Sequence, residues 1–194
     1  MTQASDHFDR LYQGNDDPWQ YQTSDYERRK YDATLAALAR PTYQSALEAG
    51  CSIGVLSARL AERCDCLLAL DFSLLAITQA RGRLSQFPRA RACCASLPED
   101  WPKGAYDLIM LSEILYYLNA EGIDQIARLV ARDVTPGGEC VLVQWQGPTE
   151  TDITANDARD QFCATLALQR PYHEISHQTD GKYDHRTLLF EMDR

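Results

Sequence analysis

The stretch Leu47-Glu48-Ala49-Gly50-Cys51-Ser52-Ile53-Gly54 decides the fold of this 194-residue chain. An apolar segment that stops at a glycine, with helical spacing after it, is typical of a strand that turns directly into a helix. A glycine at such a turn lets the backbone bend tightly and approach a ligand, and a second glycine lets the helix pack closely on the strand. The stretch therefore predicts either an ordinary tight turn or a loop that meets a nucleotide.

Strands and helices alternate after this loop, which predicts a parallel sheet in an α/β layer architecture. The apolar run before Asp71 is typical of a strand buried on both faces, and Ser73 is placed to cap the next helix. In chain order we predict a strand that ends at residue 49, a helix over 55–63, a strand over 66–70, a helix over 73–84 with Leu74, Ile77 and Ala80 inward, strands over 90–95 and 106–111, a helix over 121–133 with Ile123, Ile126, Ala127 and Val130 inward, a strand over 138–145 and a helix over 155–168.

The C-terminal part of the chain breaks this alternation. Residues 171–178 and 186–192 both have strand patterns, and the segment Thr179-Asp180-Gly181-Lys182 between them contains an Asp-Gly pair, which is a strong hairpin signal. We therefore expect a seven-stranded, mostly parallel sheet that ends in an antiparallel C-terminal hairpin. Such a hairpin is unusual for a nicotinamide-binding domain.

The first part of the chain lies outside this pattern. Residues 5–12 and 24–39 have helical patterns and are joined by Asn15-Asp16-Asp17-Pro18-Trp19, with no Gly/Ser-rich or proline-rich linker after them. We expect a single domain over residues 1–194, with an N-terminal helical cap over 1–42 and a ligand-binding core over 43–194.

Composition restricts the partners. With 19 basic and 28 acidic residues the net charge is −9, which disfavours nucleic acid because that affinity comes mainly from lysine and arginine. No apolar run approaches the roughly 18 residues of a membrane span, and the polar residues 1–10 do not resemble a secretory signal. The seven cysteines lack the spacing of a zinc or redox pair. We expect packing thiols in a cytoplasmic protein, and no metal site.

Acidic residues around the glycine loop indicate the kind of ligand. Asp71 follows the second strand, where a carboxylate can accept hydrogen bonds from both hydroxyls of a ribose. Glu48 stands two residues before the first glycine, where it would repel a pyrophosphate but suits a cationic amino-acid group. The two glycines also lack the phasing of a dinucleotide fold. These residues favour a nucleoside with a cationic tail.

Together these residues resemble the class I S-adenosylmethionine-dependent methyltransferases over about residues 45–192. The matching motifs are Glu48-x-Gly50-x-x-x-Gly54, Asp71, Tyr106-Asp107-Leu108-Ile109 and Pro136-Gly137-Gly138. Within this class the chain is similar to the nodulation protein S family, which N-methylates the deacetylated terminal glucosamine of chitooligosaccharides. The segments that carry this closer likeness are Asp17-Pro18-Trp19, Tyr26-Glu27-Arg28, Leu47-Glu48-Ala49-Gly50-Cys51 and Glu113-x-Leu115-Tyr116-Tyr117-Leu118.

The resemblance implies a Rossmann-like sandwich that uses S-adenosyl-L-methionine and releases S-adenosyl-L-homocysteine. It implies a small-molecule or oligosaccharide acceptor, in a monomer or a homodimer. Ser96 stands where the class usually has an aspartate that binds the adenine amino group. The cofactor-binding residues that we predict are Trp19, Arg28, Glu48, Gly50, Cys51, Gly54, Asp71, Phe72, Ser96, Leu97 and Ser112.

For the chemistry we predict Glu113 and Tyr116 as catalytic residues. Glu113 follows the fourth strand at the carboxyl edge of the sheet, where it could attract an ammonium, although an acid also suits a helix N-terminus. Either Tyr116 or Tyr117 is expected to line the pocket while the other packs. Trp145 is expected either to stack on a sugar or to pack in the core.

The cap is expected to complete the cofactor site. Trp19 and Tyr21 could cover the sulfonium through cation–π contact, and Arg28 or Arg29 could pair with the cofactor carboxylate. Two other readings stay open at this point, a nicotinamide-dependent oxidoreductase on a similar sheet and a non-catalytic module that binds the cofactor.

Overall fold

A computed structural model describes residues 10–149 and 151–192 of the chain. Residues 10–14 are helical, so the helix predicted over residues 5–12 lies partly outside the described residues. The further elements are α1 (Asp25–Ala36), β1 (Tyr43–Ala49), α2 (Val55–Ala61), β2 (Cys64–Asp71), α3 (Leu74–Leu84), β3 (Ala90–Cys94), β4 (Tyr106–Ser112), a 3₁₀ turn (Leu115–Tyr117), α4 (Ala120–Asp133), β5 (Val134–Trp145), α5 (Ala155–Gln169), β6 (Tyr172–Thr179) and β7 (Tyr183–Phe190).

The strands form one seven-stranded sheet in the order β3-β2-β1-β4-β5-β7-β6. The first five strands along the chain pair in parallel, and β7 lies antiparallel between β5 and β6. The predicted fold class is confirmed. The chain moves outward from β1 to β3 and then returns to β4 on the other side of β1. The order of the strands thus reverses between β1 and β4. The connections that follow these two strands leave in opposite directions, which opens a crevice at their carboxyl ends.

Helices cover both faces of the sheet. On one face, Tyr31 of α1 and Leu56 and Leu60 of α2 share an apolar cluster with Leu67 of β2. On the other face, α4 and α5 pack over the neighbouring residues of the strands, and the inner face predicted for α4 is fully buried. This arrangement places the N-terminal cap beside the crevice. No helix within residues 10–149 and 151–192 is long and apolar enough to cross a membrane.

Two predictions of burial were wrong. Leu74 is 57% exposed, because the buried stripe of α3 is centred on Ala76, Ile77 and Ala80 instead. Cys66, the first residue of the strand predicted over 66–70, is also exposed, because the pairing of β2 with β3 begins only at Leu67.

The seven cysteines are all free thiols, but they do not all pack in the core. Cys51 and Cys140 are buried as predicted, whereas Cys66 and Cys94 are exposed. Cys66 precedes the ladder between β2 and β3, and Cys94 ends the edge strand β3, so neither position is covered.

The observed strand boundaries differ most from the predicted ones around the C-terminal hairpin and before β5. Strand β7 begins at Tyr183, three residues before the predicted start at Arg186, so the turn is shorter than the sequence suggested. Strand β5 begins at Val134 because an irregularity in its pairing with β4 accommodates the Pro136-Gly137-Gly138 segment within the strand.

A pair of glycine substitutions tests how closely α3 packs on the loop after β1. Gly54 has φ +80°, and a Cβ there would lie 2.9 Å from Ala80 Cα. We expect Gly54→Ala to lower the free energy of unfolding by about 1–3 kcal/mol, because both the backbone and the packing resist the methyl group. Urea denaturation measures the change.

Gly82→Ala is the matched control on α3. A Cβ at Gly82 meets nothing within 4 Å, so the substitution is expected to stabilise the helix by about 0.5–1 kcal/mol. Equal effects of the two substitutions would contradict the packing role of Gly54.

Candidate active site

The glycine loop is forced into its path by the neighbouring strand. Gly50 has φ +84°, and a Cβ there would lie 2.5 Å from the Ser112 carbonyl oxygen and would overlap Ile114. Only glycine therefore lets the end of β1 lie directly against the end of β4. The Gly50 and Cys51 N–H groups both donate to the Leu70 carbonyl at 2.9 Å, which fixes the loop to β2.

Asp71 holds this loop to the start of α3. One carboxylate oxygen accepts from the Ser52 N–H and the other from the Ser73 N–H, both at 2.9 Å. Ser52 has φ +48°, a conformation that a non-glycine residue rarely adopts. The carboxylate is thereby placed at the wall of the cleft, in an orientation set by the backbone.

A cleft of about 180 Å³ opens beside the loop and is lined mainly by aromatic and acidic side chains. Its walls come from the cap, from the ends of β1, β2 and β4, and from β7. The lining residues are Tyr12, Trp19, Tyr21, Glu27, Gly50, Leu70, Asp71, Phe72, Ala95, Leu97, Ser112, Glu113, Ile114, Tyr116, Tyr117, Leu118 and Tyr183.

The cap places aromatic rings over this cleft. Asp17 accepts hydrogen bonds from the Tyr21 and Gln22 N–H groups at 2.8 and 3.0 Å, which fixes the turn that carries Trp19. The Trp19 ring lies 5.5 Å from Tyr12 and 5.7 Å from Tyr21 between centroids. Tyr12 also shares a 2.5 Å hydrogen bond with Ser52, so the aromatic cover is tied to the glycine loop.

A buried lysine links the cap to the floor of the cleft. The Lys30 side chain is 2% exposed, and its Nζ lies 2.6 Å from Glu27 Oε2 and 2.6 Å from Glu113 Oε1. Nζ also donates to the Tyr183 hydroxyl at 3.1 Å, and that hydroxyl donates to Glu27 Oε1 at 3.1 Å. We call Glu27, Lys30, Glu113 and Tyr183 the charged cluster. It carries two carboxylates and one ammonium at the wall of the cleft.

Glu113 occupies a strained backbone position directly after β4. Its φ is +56°, and its N–H donates to the Val143 carbonyl at 2.8 Å. The Tyr116 hydroxyl donates to Glu113 Oε2 at 3.3 Å. Burial raises the pKa of Tyr116 far above its ordinary value. Tyr116 is therefore a hydrogen-bond donor to Glu113 and not a base.

Glu48 is buried beneath the glycine loop without full compensation. Burial raises its pKa from 4.5 to about 7. Its Oε2 has no hydrogen-bond partner among residues 10–149 and 151–192. Glu48 lines a small side cavity together with Lys30, Gly50 and Cys51. An unpartnered buried acceptor at this point fits a ligand that brings a cationic donor.

The nodulation protein S (NodS) family model matches residues 4–146. The chain belongs to this family. It is 31% identical to nodulation protein S of Rhizobium tropici over 130 residues, which is 66% of this chain and 54% of that protein. It is 31% identical to nodulation protein S of Bradyrhizobium diazoefficiens over 151 residues, which is 76% of this chain and 66% of that protein. These matches thus span about half to two thirds of the curated relatives' length.

Solved structures share the fold. The N-methyltransferase NodS from Bradyrhizobium japonicum WM9, in complex with S-adenosyl-L-homocysteine, is 20% identical with a TM-score of 0.81, over 97% of this chain and 99% of that chain. A candidate methyltransferase from Pseudomonas syringae is 35% identical with a TM-score of 0.71, over 84% of this chain and 98% of that chain. The resemblance inferred from the motifs is therefore confirmed.

The structure brings most of the predicted site residues of this NodS-family chain together. They line the cleft or its side cavity, as the sequence analysis expected of a shared site. These residues are Trp19, Glu48, Gly50, Cys51, Asp71, Phe72, Leu97, Ser112, Glu113 and Tyr116.

Arg28, Ser96 and Gly54 do not line the cleft. The Arg28 side chain is 68% exposed and pairs with Asp25 at 2.9 Å, because it lies on the solvent face of α1, as does Arg29. Ser96 is exposed, and its N–H donates to Asp100 while the residues on either side of it face the cleft. Gly54 instead packs against α3.

The sequence left alternatives open for Tyr116, Tyr117 and Trp145, and their positions in the structure decide between them. Both Tyr116 and Tyr117 line the cleft, so neither only packs. Trp145 packs edge-on against Tyr183 with 5.4 Å between ring centroids, and it lies outside the cleft lining. Of the two positions expected for Trp145, packing in the core is therefore the one observed.

Sequence reasoning missed the inward polar face of α1. The buried residues of this helix are Glu27, Lys30, Tyr31 and Thr34. Their spacing is that of one helical face, i, i+3, i+4 and i+7. This spacing is a sequence signal for the inward face, but it forms no apolar stripe because three of the four residues are polar.

The raised pKa of Glu48 predicts a pH-dependent cost of folding. A carboxyl whose folded pKa exceeds its unfolded value contributes stability that is complete below pH 4.5 and is lost as the pH rises through about 7. Glu48→Gln removes the titration, so its free energy of unfolding relative to the native chain should rise by about 3 kcal/mol between pH 4 and pH 8.

Urea denaturation at each pH measures this difference. Glu62→Gln is the control, since Glu62 is exposed beside α2 and should show almost no change with pH. A pH-independent difference for Glu48→Gln would mean that Glu48 ionises as freely in the folded chain as in the unfolded one.

Proposed function

We propose that the protein is an S-adenosylmethionine-dependent N-methyltransferase whose acceptor is a small-molecule amine or the amino-sugar end of an oligosaccharide. The observation that carries this proposal is the shared cleft, which is lined both by Asp71 and the glycine loop and by Glu27, Glu113 and Tyr183 of the charged cluster. Membership of the nodulation protein S family supports it, as does the N-methyltransferase activity that is named for the Bradyrhizobium japonicum relative.

The residues of the cleft fit this cofactor group by group. Asp71 is placed to accept from ribose hydroxyls, and the missing side chain of Gly50 leaves room for close approach of a ligand. The unpartnered Glu48 oxygen in the side cavity suits the ammonium of an amino acid. Leu97 offers an apolar wall for the adenine.

The roles of the remaining residues follow from the chemistry of the methyl donor. When bound, S-adenosylmethionine supplies a methyl group on a sulfonium, which an acceptor nitrogen can displace in line as the carbon–sulfur bond breaks. The acceptor ammonium must first lose one proton. Glu113 Oε2, the carboxylate oxygen that does not pair with Lys30, can take it, and Tyr116 orients that oxygen. The aromatic cap excludes water and favours positive charge.

The acceptor is selected by the cleft rather than by the fold. Excess negative charge in the charged cluster disfavours anionic acceptors and suits an amine. Tyr117 is exposed at the rim, where its ring can stack on a sugar. A small molecule or one end of a chitooligosaccharide fits between such a rim and the cap.

Calorimetry with S-adenosyl-L-homocysteine tests the cofactor. We expect binding by the native chain and a loss of affinity of about 10- to 100-fold in Asp71→Asn, because asparagine has one acceptor oxygen and carries an NH2 donor in place of the second. Asp65→Asn is the matched control on the same strand, since Asp65 is exposed. No binding by the native chain at millimolar concentration would overturn the proposal.

Transfer of a radiolabelled methyl group tests the reaction. We expect label in glucosamine-ended chitooligosaccharides or in small amines, and none in fully N-acetylated chitooligosaccharides or in small phenols, because only the amines bring a nucleophilic nitrogen. Binding of S-adenosyl-L-homocysteine without transfer to any member of the panel would instead favour a non-catalytic binding module.

A further inference from the structure

The charged cluster holds more negative charge than its lysine requires. Glu113 alone lies 2.6 Å from Lys30 Nζ and provides the counter-ion that a buried ammonium needs. Glu27 lies at the same distance and adds a second carboxylate. Two carboxylates against one ammonium leave one net negative charge in a wall where the side chains of Glu27 and Glu113 are only 8% and 23% exposed.

Both carboxylates face the cleft and not the bulk solvent. Glu27, on α1, and Glu113, directly after β4, both line it and both pair with Lys30. The Tyr21 and Tyr183 rings line the same part of the wall, and aromatic faces attract cations. An uncompensated charge in such a place is costly until a ligand neutralises it.

We propose that Glu27 is a specificity-determining residue that selects a cationic amine acceptor over a neutral hydroxyl acceptor, with Lys30 as the positioning residue that holds Glu27 and Glu113 at the cleft. The proposal rests on the proposed function and assigns its acceptor preference to one side chain. An ammonium neutralises the excess charge, whereas a hydroxyl leaves it in place. Glu27 is therefore the group that discriminates between acceptors of the same shape.

The test compares two probes of similar shape, cyclohexylamine and cyclohexanol, in protein saturated with S-adenosyl-L-homocysteine at pH 7.5. Ligand-observed NMR titration gives the two dissociation constants. The native chain should prefer the amine by about tenfold or more, and Glu27→Gln should remove most of that preference. The glutamine keeps the shape of the side chain, so loss of packing is small.

Asp25→Asn is the matched control on the same helix. It makes the same change of net charge, but Asp25 is exposed and pairs with Arg28 on the solvent face. We expect its amine preference to equal that of the native chain. An equal loss in Asp25→Asn and Glu27→Gln would mean that only the net charge of the protein matters, and it would overturn the proposal.

Lys30→Gln changes the preference in the opposite direction. Without the ammonium both carboxylates are unneutralised, so the preference for the amine should rise above that of the native chain. Thermal unfolding checks that this variant folds, and if it does not, the comparison of Glu27→Gln with Asp25→Asn decides the question alone.

Failure of this proposal and failure of the proposed function give different results. If the native chain does not bind S-adenosyl-L-homocysteine, both proposals are overturned. Normal binding of S-adenosyl-L-homocysteine with equal affinities for the two probes, or with no amine binding up to about 10 mM, would overturn only the role of Glu27.

Discussion

Docking of the N-terminal cap on the sheet depends on the ion pairs and the hydrogen bond of the buried Lys30 ammonium. Removing an ammonium from water costs several kcal/mol unless oxygens replace the water. Three oxygens, on Glu27, Glu113 and Tyr183, lie within 3.1 Å of its Nζ. Because the last two belong to the end of β4 and to β7, α1 can bury its polar face only when it is docked at the cleft. The position of the cap and the charge of the cleft are therefore set by the same contacts.

The glycine loop imposes the second constraint. Strands β1 and β4 are neighbours, so the first residue after β1 lies against the Ser112 carbonyl, and any side chain at Gly50 would collide with it. Asp71 then fixes the following residues through the Ser52 and Ser73 N–H groups. The loop is held by its own backbone contacts and by the Asp71 carboxylate. Its shape is therefore organised before any ligand arrives, which reduces the ordering cost of binding.

The sequence predicted what apolar periodicity and turn chemistry control. The β1 loop, the inner face of α4 and the C-terminal hairpin follow from such local signals, and the ends of parallel strands then place Asp71 and Glu113 at one edge. It misplaced Arg28, because the inward face of α1 is polar and hydropathy does not phase a polar helix. The spacing of Glu27, Lys30, Tyr31 and Thr34 marks one face of α1, but the contacts of Lys30 with Glu113 and Tyr183 depend on residues far along the chain. Ser96 is exposed because its N–H is held by Asp100 in the turn after β3, and a match to the family position does not include this contact.

Buried charge in this protein is better explained by ligands than by stability. Apolar residues of similar volume often replace a buried ion pair at no cost, so a cluster such as Glu27, Lys30 and Glu113 is weak evidence for stabilisation. Glu48, whose pKa is raised by burial, likewise lowers the stability of the folded chain when it is ionised. Each carboxylate in excess lies where the proposed reaction brings a cation, the amino group of the donor at Glu48 and the acceptor amine at Glu27. In the proposed reaction the two substrates therefore neutralise both carboxylates in excess.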